Sequence, residues 1–124
     1  MDAIEIQLTA RISLAIGVVV VTWLSLTPGE ALPDIDIWDK LLHVSAFAAI
    51  GLAGSLAFQG WRFGLVVAAG LLALGCILEL AQIIIPGRSA SIADALANGV
   101  GVAFGLVAAW TANLLLCRYE RSSL

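Results

Sequence analysis

The chain has 124 residues, 61% of them hydrophobic and only 12% charged, with a formal net charge of -3 and a mean hydropathy of +1.04. Soluble domains use about 45 to 50% apolar residues, and one of this length has no core large enough to hide the excess. The composition therefore excludes an ordinary soluble fold, and the acidic pI near 4.8 without a basic tail excludes nucleic acid as a partner.

A helix needs roughly 20 apolar residues to cross about 30 Å of hydrocarbon, and four runs meet that requirement. The first covers about residues 10–26. Its leader, MDAIEIQLTAR, carries two acids against one arginine, and no small-x-small cleavage site follows, so it reads as a retained helix and not a signal peptide. The acidic connection PGEALPDIDIWDK, with Glu30, Asp34, Asp36 and Asp39, leads into the second run at about 41–58. The third spans about 63–85 and the fourth about 92–116. The short QGWR and PGRSAS connections leave room only for tight turns, which makes the neighbouring helices antiparallel. The predicted architecture is an all-α integral membrane protein, a compact antiparallel bundle of four transmembrane helices forming a single domain over residues 1–124.

Basic residues near the helix ends set the orientation. Arg11, Arg62, Arg118 and Arg121 fall on the side of the two termini, while the opposite side has only Lys40 and Arg88. Both termini are thus expected in the cytoplasm of a bacterial inner-membrane protein, with the acidic connection and the PGRSAS turn facing outward. Trp23 and Trp38 fall near one interface and Trp61 and Trp110 toward the other, as aromatic anchors do. Cys76 and Cys117 lie at different depths, so no disulfide is expected. No CxxC or other metal-ligand spacing occurs, and no cofactor motif is present.

The informative residues are the polar ones inside apolar runs. Glu79 and Gln82 share a face of the third helix with Gly75, Ala68 and Gly64; Asp94, Asn98, Gly101 and Gly105 form a stripe on the fourth; His43, Phe47, Gly51 and Gly54 form one on the second. At about 1.5 Å per residue, Glu79 and Asn98 lie roughly 10 Å below the outer surface and Asp94 and His43 shallower. An ionisable group at such depth is costly unless it faces the bundle interior with partners, and it marks a functional site by default. Pro86 and Gly87 end the third helix, and Ser91 with Asp94 three residues on fits a capping box opening the fourth. The exposed N–H groups of that helix start, with Arg88, Ser89 and Ser91 beside them, also make a cradle for phosphate or carboxylate.

The motifs DKLLH, ELAQ and PGRSASIADALANGVG, in that order on four short apolar helices, make the chain resemble the VanZ-like family over about residues 23–105. The matching positions are Asp39, Lys40, His43, Glu79, Gln82, Pro86, Gly87, Arg88, Asp94 and Asn98. The family takes its name from a small membrane protein that confers low-level teicoplanin resistance. The resemblance implies a cell-envelope role and supplies no reaction.

Each residue has a structural reading beside the functional one. His43 can pair with Asp39 one helical turn away; Glu79 can lock helix ends through Arg88; Arg88 can snorkel toward headgroups; Asp94 can be a cap; Asn98 and Gln82 can serve interhelical hydrogen bonding. The leading functional expectation is an anion-binding site at the extracytoplasmic face, built from Asp39, Lys40, Gln82, Arg88, Ser89, Ser91, Asp94 and Asn98. It would engage membrane lipids, a lipid-linked envelope precursor or a lipid-tailed glycopeptide. The alternative is an intramembrane hydrolase or transferase acting on a phosphate-linked or acyl lipid. In it His43 serves as base or nucleophile, Glu79 or Asp94 as acid, and Arg88 holds developing charge. A transporter ranks below both, because the cytoplasmic halves are almost purely apolar.

Overall fold

The computed structural model describes residues 3–31, 36–58 and 60–122, the side chains at 3, 36–39, 116–117 and 119–122 excepted. Among the described residues there are four α-helices and no strand: α1 Ala3–Leu26, α2 Asp36–Ala57, α3 Trp61–Gln82 and α4 Ile92–Ser122, with a single 3-10 turn at Gly29–Ala31. Each α-helix contains a stretch long and apolar enough to cross a membrane. The protein is an all-α integral membrane bundle. Four boundaries differ from the sequence reading by three residues or more, among them the start of α2, at Asp36 and not at residue 41. α1 starts well before residue 10, because its leader continues the helix. α4 runs on past residue 116 to Ser122. α3 stops at Gln82, because Ile83–Gly87 turns tightly toward Pro86 and Gly87, whose φ of 72° suits only glycine comfortably.

Among the described residues, α2 and α4 share the most extensive helix contact, α1 packs on α2 and α3, and α1 and α4 do not pack against one another. α2 and α3 therefore sit between the other two. The α2–α4 contact is backbone on backbone. A Cβ added at Gly101 would collide with the Val44 carbonyl oxygen, and one at Gly105 would lie 2.5 Å from the Ala48 oxygen and the Leu52 nitrogen. The GxxxG pair thus serves packing, as small residues do where lipid is as apolar as leucine and close contact must supply the attraction.

The core threads between these helices. Val21, Phe47, Ile50, Ala68, Leu71, Leu78 and Val102 form one buried cluster, with Phe47 only 1% exposed. Large residues such as Ile16, Trp23, Val66, Ile77, Phe104 and Trp110 point outward and are exposed, the pattern of a lipid-facing surface. Hydroxyls on the helices bond back to their own backbone: Ser55 Oγ donates to the Gly51 carbonyl and Thr111 Oγ1 to the Val107 carbonyl. These two hydroxyls therefore need no partner from the hydrocarbon.

At the end of the bundle that carries the chain's termini, Arg11 Nε donates to the Ala57 carbonyl at 3.1 Å and its guanidinium lies over the Phe58 ring, so a cation closes the C-terminus of α2. The α3–α4 junction lies at the opposite end.

Gly105→Ala is expected to destabilise the bundle by about 1 to 3 kcal/mol through overpacking. Gly70→Ala, where an added Cβ meets nothing within 4 Å, is expected to stay within about 1 kcal/mol of the parent. Thermal or denaturant unfolding in detergent of the two variants side by side checks this contrast.

Candidate functional site

The site begins with the end of α1. A helix C-terminus leaves carbonyls without intrahelical partners, and inside a bilayer each must find a donor. Two residues at and beyond the end of α3 supply three such donors. Arg88 Nη2 donates to the Leu24 carbonyl at 2.8 Å and Nε to the Thr27 carbonyl at 3.1 Å, while Gln82 Nε2 donates to the Ser25 carbonyl at 3.0 Å. The two connections also bond directly, with the Gly29 N–H donating to the Pro86 carbonyl at 3.1 Å. A Cβ on Gly29 would strike the Gly87 carbonyl, so this approach requires glycine. The α1 end and the α3–α4 turn are thereby one unit.

The start of α4 is capped by half of the expected box. Ser91 Oγ accepts the Ala93 N–H at 3.1 Å, as an N-cap does. In the full box the Asp94 carboxylate would accept the Ser91 N–H; here Glu79 Oε2, from α3, accepts it at 3.1 Å. This exchange ties α3 to α4 and leaves the Asp94 side chain to serve elsewhere. Glu79 sits in the last turn of α3, one turn from the helix end instead of two, because α3 stops at Gln82.

Three helices then converge. His43 Nδ1 lies 2.8 Å from Asn98 Oδ1, linking α2 to α4. His43, Glu79 and Asp94 each place one donor atom within 4.8 Å of the others. Gly75 makes room, since a Cβ there would press on Asn98 Nδ2 at 3.0 Å and Phe47 Cε1 at 3.3 Å. Glu79, Asp94, Asn98 and Gln82 are buried and His43 is half-buried. Lys40 Nζ reaches Asp94 Oδ1 at 3.9 Å from a largely exposed position, a long and solvent-screened pairing.

Beside the cluster runs an apolar groove of about 160 Å³ between α1 and α2, lined by Val21, Leu24, Leu42, Ala46 and Phe47, with His43 and Arg88 on its wall. The sequence reading missed the α1 side of this groove and the Ser25 carbonyl that Gln82 serves, because α1 carries no polar stripe to signal a site. Of the expected site residues, His43, Glu79, Asp94 and Asn98 come together and Lys40 reaches their edge. Gln82 and Arg88 turn to α1, Ser91 caps α4, and Ser89 lies exposed in the connection. The side chain of Asp39 lies outside the described residues, as do Asp34 and the side chains of Asp36, Trp38, Cys117 and Arg121. Cys76 is exposed on α3. Contiguous ligand spacing, which is what a sequence displays, gives no hint of donors drawn from three separate helices.

Comparison with known proteins adds one match. No curated protein and no solved structure is similar enough to match the chain. A profile of the family described as VanZ/LLP1 matches residues 5–116, nearly the full span of the four helices. The chain belongs to the VanZ-like family.

Proposed function

We propose that this protein binds an anionic or lipid-linked cell-envelope molecule, or a lipid-tailed glycopeptide antibiotic, at the extracytoplasmic face of the bacterial inner membrane, with both termini in the cytoplasm. The observation that carries the reading is the groove between α1 and α2, which is apolar along its length and meets His43 and Arg88 at its wall. Such a surface suits an amphiphile, with a stretch of acyl or isoprenoid chain against Leu24, Leu42 and Phe47 and a polar head near the cations. Its volume is below the range of drug-sized pockets, so it would take a segment of a chain and leave the rest in lipid. Two nitrogens of the Arg88 guanidinium cap α1, and Lys40 places a second cation beside Asp94.

A second reading is an intramembrane hydrolase or transferase of phosphate-linked or acyl lipids. It draws support from the grouping of His43, Glu79 and Asp94, an imidazole and two carboxylates, which are residue types able to pass protons. Asn98 beside Nδ1 would orient the ring for such a role. This reading differs from the first in requiring turnover.

Thermal stability in detergent tests the binding reading. The parent protein is expected to melt higher with undecaprenyl phosphate or phosphatidylglycerol than with a zwitterionic lipid. Ala46→Phe, which fills the groove, is expected to lose that shift while keeping the lipid-free melting temperature within a few degrees. An unchanged lipid shift in Ala46→Phe would refute the groove as the binding surface.

Charge and capping separate at Arg88. Arg88→Gln is expected to lose about 1.5 to 3 kcal/mol of stability, having given up charge-assisted bonds to α1, together with the lipid shift. Arg88→Lys retains the point charge but not the planar fork, so its melting temperature is expected to fall while the shift by anionic lipid persists. The enzyme reading is checked by His43→Gln in a turnover assay on the lipid that gives the largest shift: retention of binding with loss of product supports it, and an absence of turnover in the parent sinks it.

A further inference from the structure

We propose that His43, Glu79 and Asp94 form a binding site for a single first-row divalent cation, of the Zn²⁺ or Mn²⁺ type. Their donor atoms come from α2, α3 and α4 and lie within 4.8 Å of one another. Donors around an ion at about 2.1 Å stand roughly 3 to 3.5 Å apart, so binding an ion would draw the three side chains together by up to roughly 1 to 2 Å. The second observation concerns the carboxylates. Glu79 is 6% exposed and Asp94 7%, and each keeps one buried oxygen that accepts no hydrogen bond, Glu79 Oε1 and Asp94 Oδ1. Buried polar atoms are otherwise nearly always satisfied, and an orphaned carboxylate oxygen calls for a specific reason such as an absent ion.

The surroundings fit a ligand set. An amide oxygen only accepts, so in the contact with Asn98 Oδ1 the donor is Nδ1, and Nε2 is the ring nitrogen a metal ion would take. A metal-binding histidine is commonly held this way by a carbonyl on its other nitrogen. Ser91 does the same for Glu79, its N–H holding Oε2 and orienting the carboxylate. The cation at the rim, Lys40, stands 3.9 Å from Asp94 and is 56% exposed, too distant and too solvated to take the place of an ion. One nitrogen and two oxygens favour Zn²⁺ or Mn²⁺ over Ca²⁺ or Mg²⁺, which prefer oxygen alone. Three protein ligands would leave a coordination position for an outside oxygen, as catalytic sites do and closed structural sites do not. His43 also lines the groove, so that position would lie next to a lipid head. The cation site does not rest on the lipid reading, and either can fail without the other.

The protein, produced without a polyhistidine tag and freed of metal by chelation, would be equilibrated separately with Zn²⁺ and Mn²⁺ in detergent without added lipid, desalted, and assayed for metal by mass spectrometry. The expected result is near-stoichiometric retention of one of the ions and a raised melting temperature. Glu79→Gln, Asp94→Asn and His43→Gln are each expected to bind about tenfold more weakly or worse, and Asn98→Ala about tenfold more weakly. Should a variant fail to fold, the parent protein loaded with Co²⁺ reports the ligands directly, visible bands of a low-coordinate nitrogen and oxygen site being expected and the spectrum of hydrated cobalt overturning the proposal. No retention of either ion, or equal retention by all three ligand variants, also overturns it. The lipid-shift measurement repeated in chelator then tests the binding reading on its own.

Discussion

The structure depends on the close approach of α2 and α4. Gly101 and Gly105 let the backbone of α4 lie against the carbonyls of Val44 and Ala48, and no other pair of helices meets so extensively. In lipid, burial of apolar side chains gives little net attraction between helices, and close backbone packing has to provide it. The consequence for the site is geometric. His43 sits one residue before Val44 and Asn98 three before Gly101, so the seam that joins the helices also sets the 2.8 Å approach of imidazole and amide. A looser contact would separate the only histidine in the chain from its partner.

A second constraint comes from the hydrogen-bonding demands of helix ends in a poorly hydrated setting. Arg88 and Gln82 complete the end of α1, Ser91 opens α4, and Glu79 accepts the Ser91 N–H. These bonds hold α1, α3 and α4 together at one end of the bundle. They also explain why the polar residues gather there: the capping groups and the buried carboxylates share the same few turns of helix. A residue such as Arg88 belongs to the scaffold by its bonds and to the groove by its position, and both roles follow from one side chain.

Much of the site was legible in the sequence because stripes on a helix follow from spacing. Glu79 with Gln82, Asp94 with Asn98, and His43 with Phe47 each fall on one face, and a polar group in hydrocarbon has to turn inward. The direction of individual bonds was not legible. Ser91 and Asp94 have the spacing of a reciprocal cap, yet Glu79 takes the Ser91 N–H, because α3 ends three residues earlier than its run of isoleucines suggests and delivers its last turn beside the start of α4. Arg88, adjacent to serines in the chain, bonds instead to carbonyls more than 60 residues away. Such partners are chosen by proximity in space, which spacing along one helix does not encode.

The sequence by itself determined the solvent of this protein, the four spans, their antiparallel order and the faces that turn inward, because all of these follow from local hydropathy, helical periodicity and the shortness of two connections. Only the tertiary structure decided which carboxylate caps α4, which carbonyls Arg88 and Gln82 satisfy, and that donors from three helices meet within 4.8 Å with two buried oxygens that accept no hydrogen bond. Those outcomes depend on how far the glycine seams let the helices approach and on where each helix ends, distances that arise when the bundle packs and that no single segment specifies.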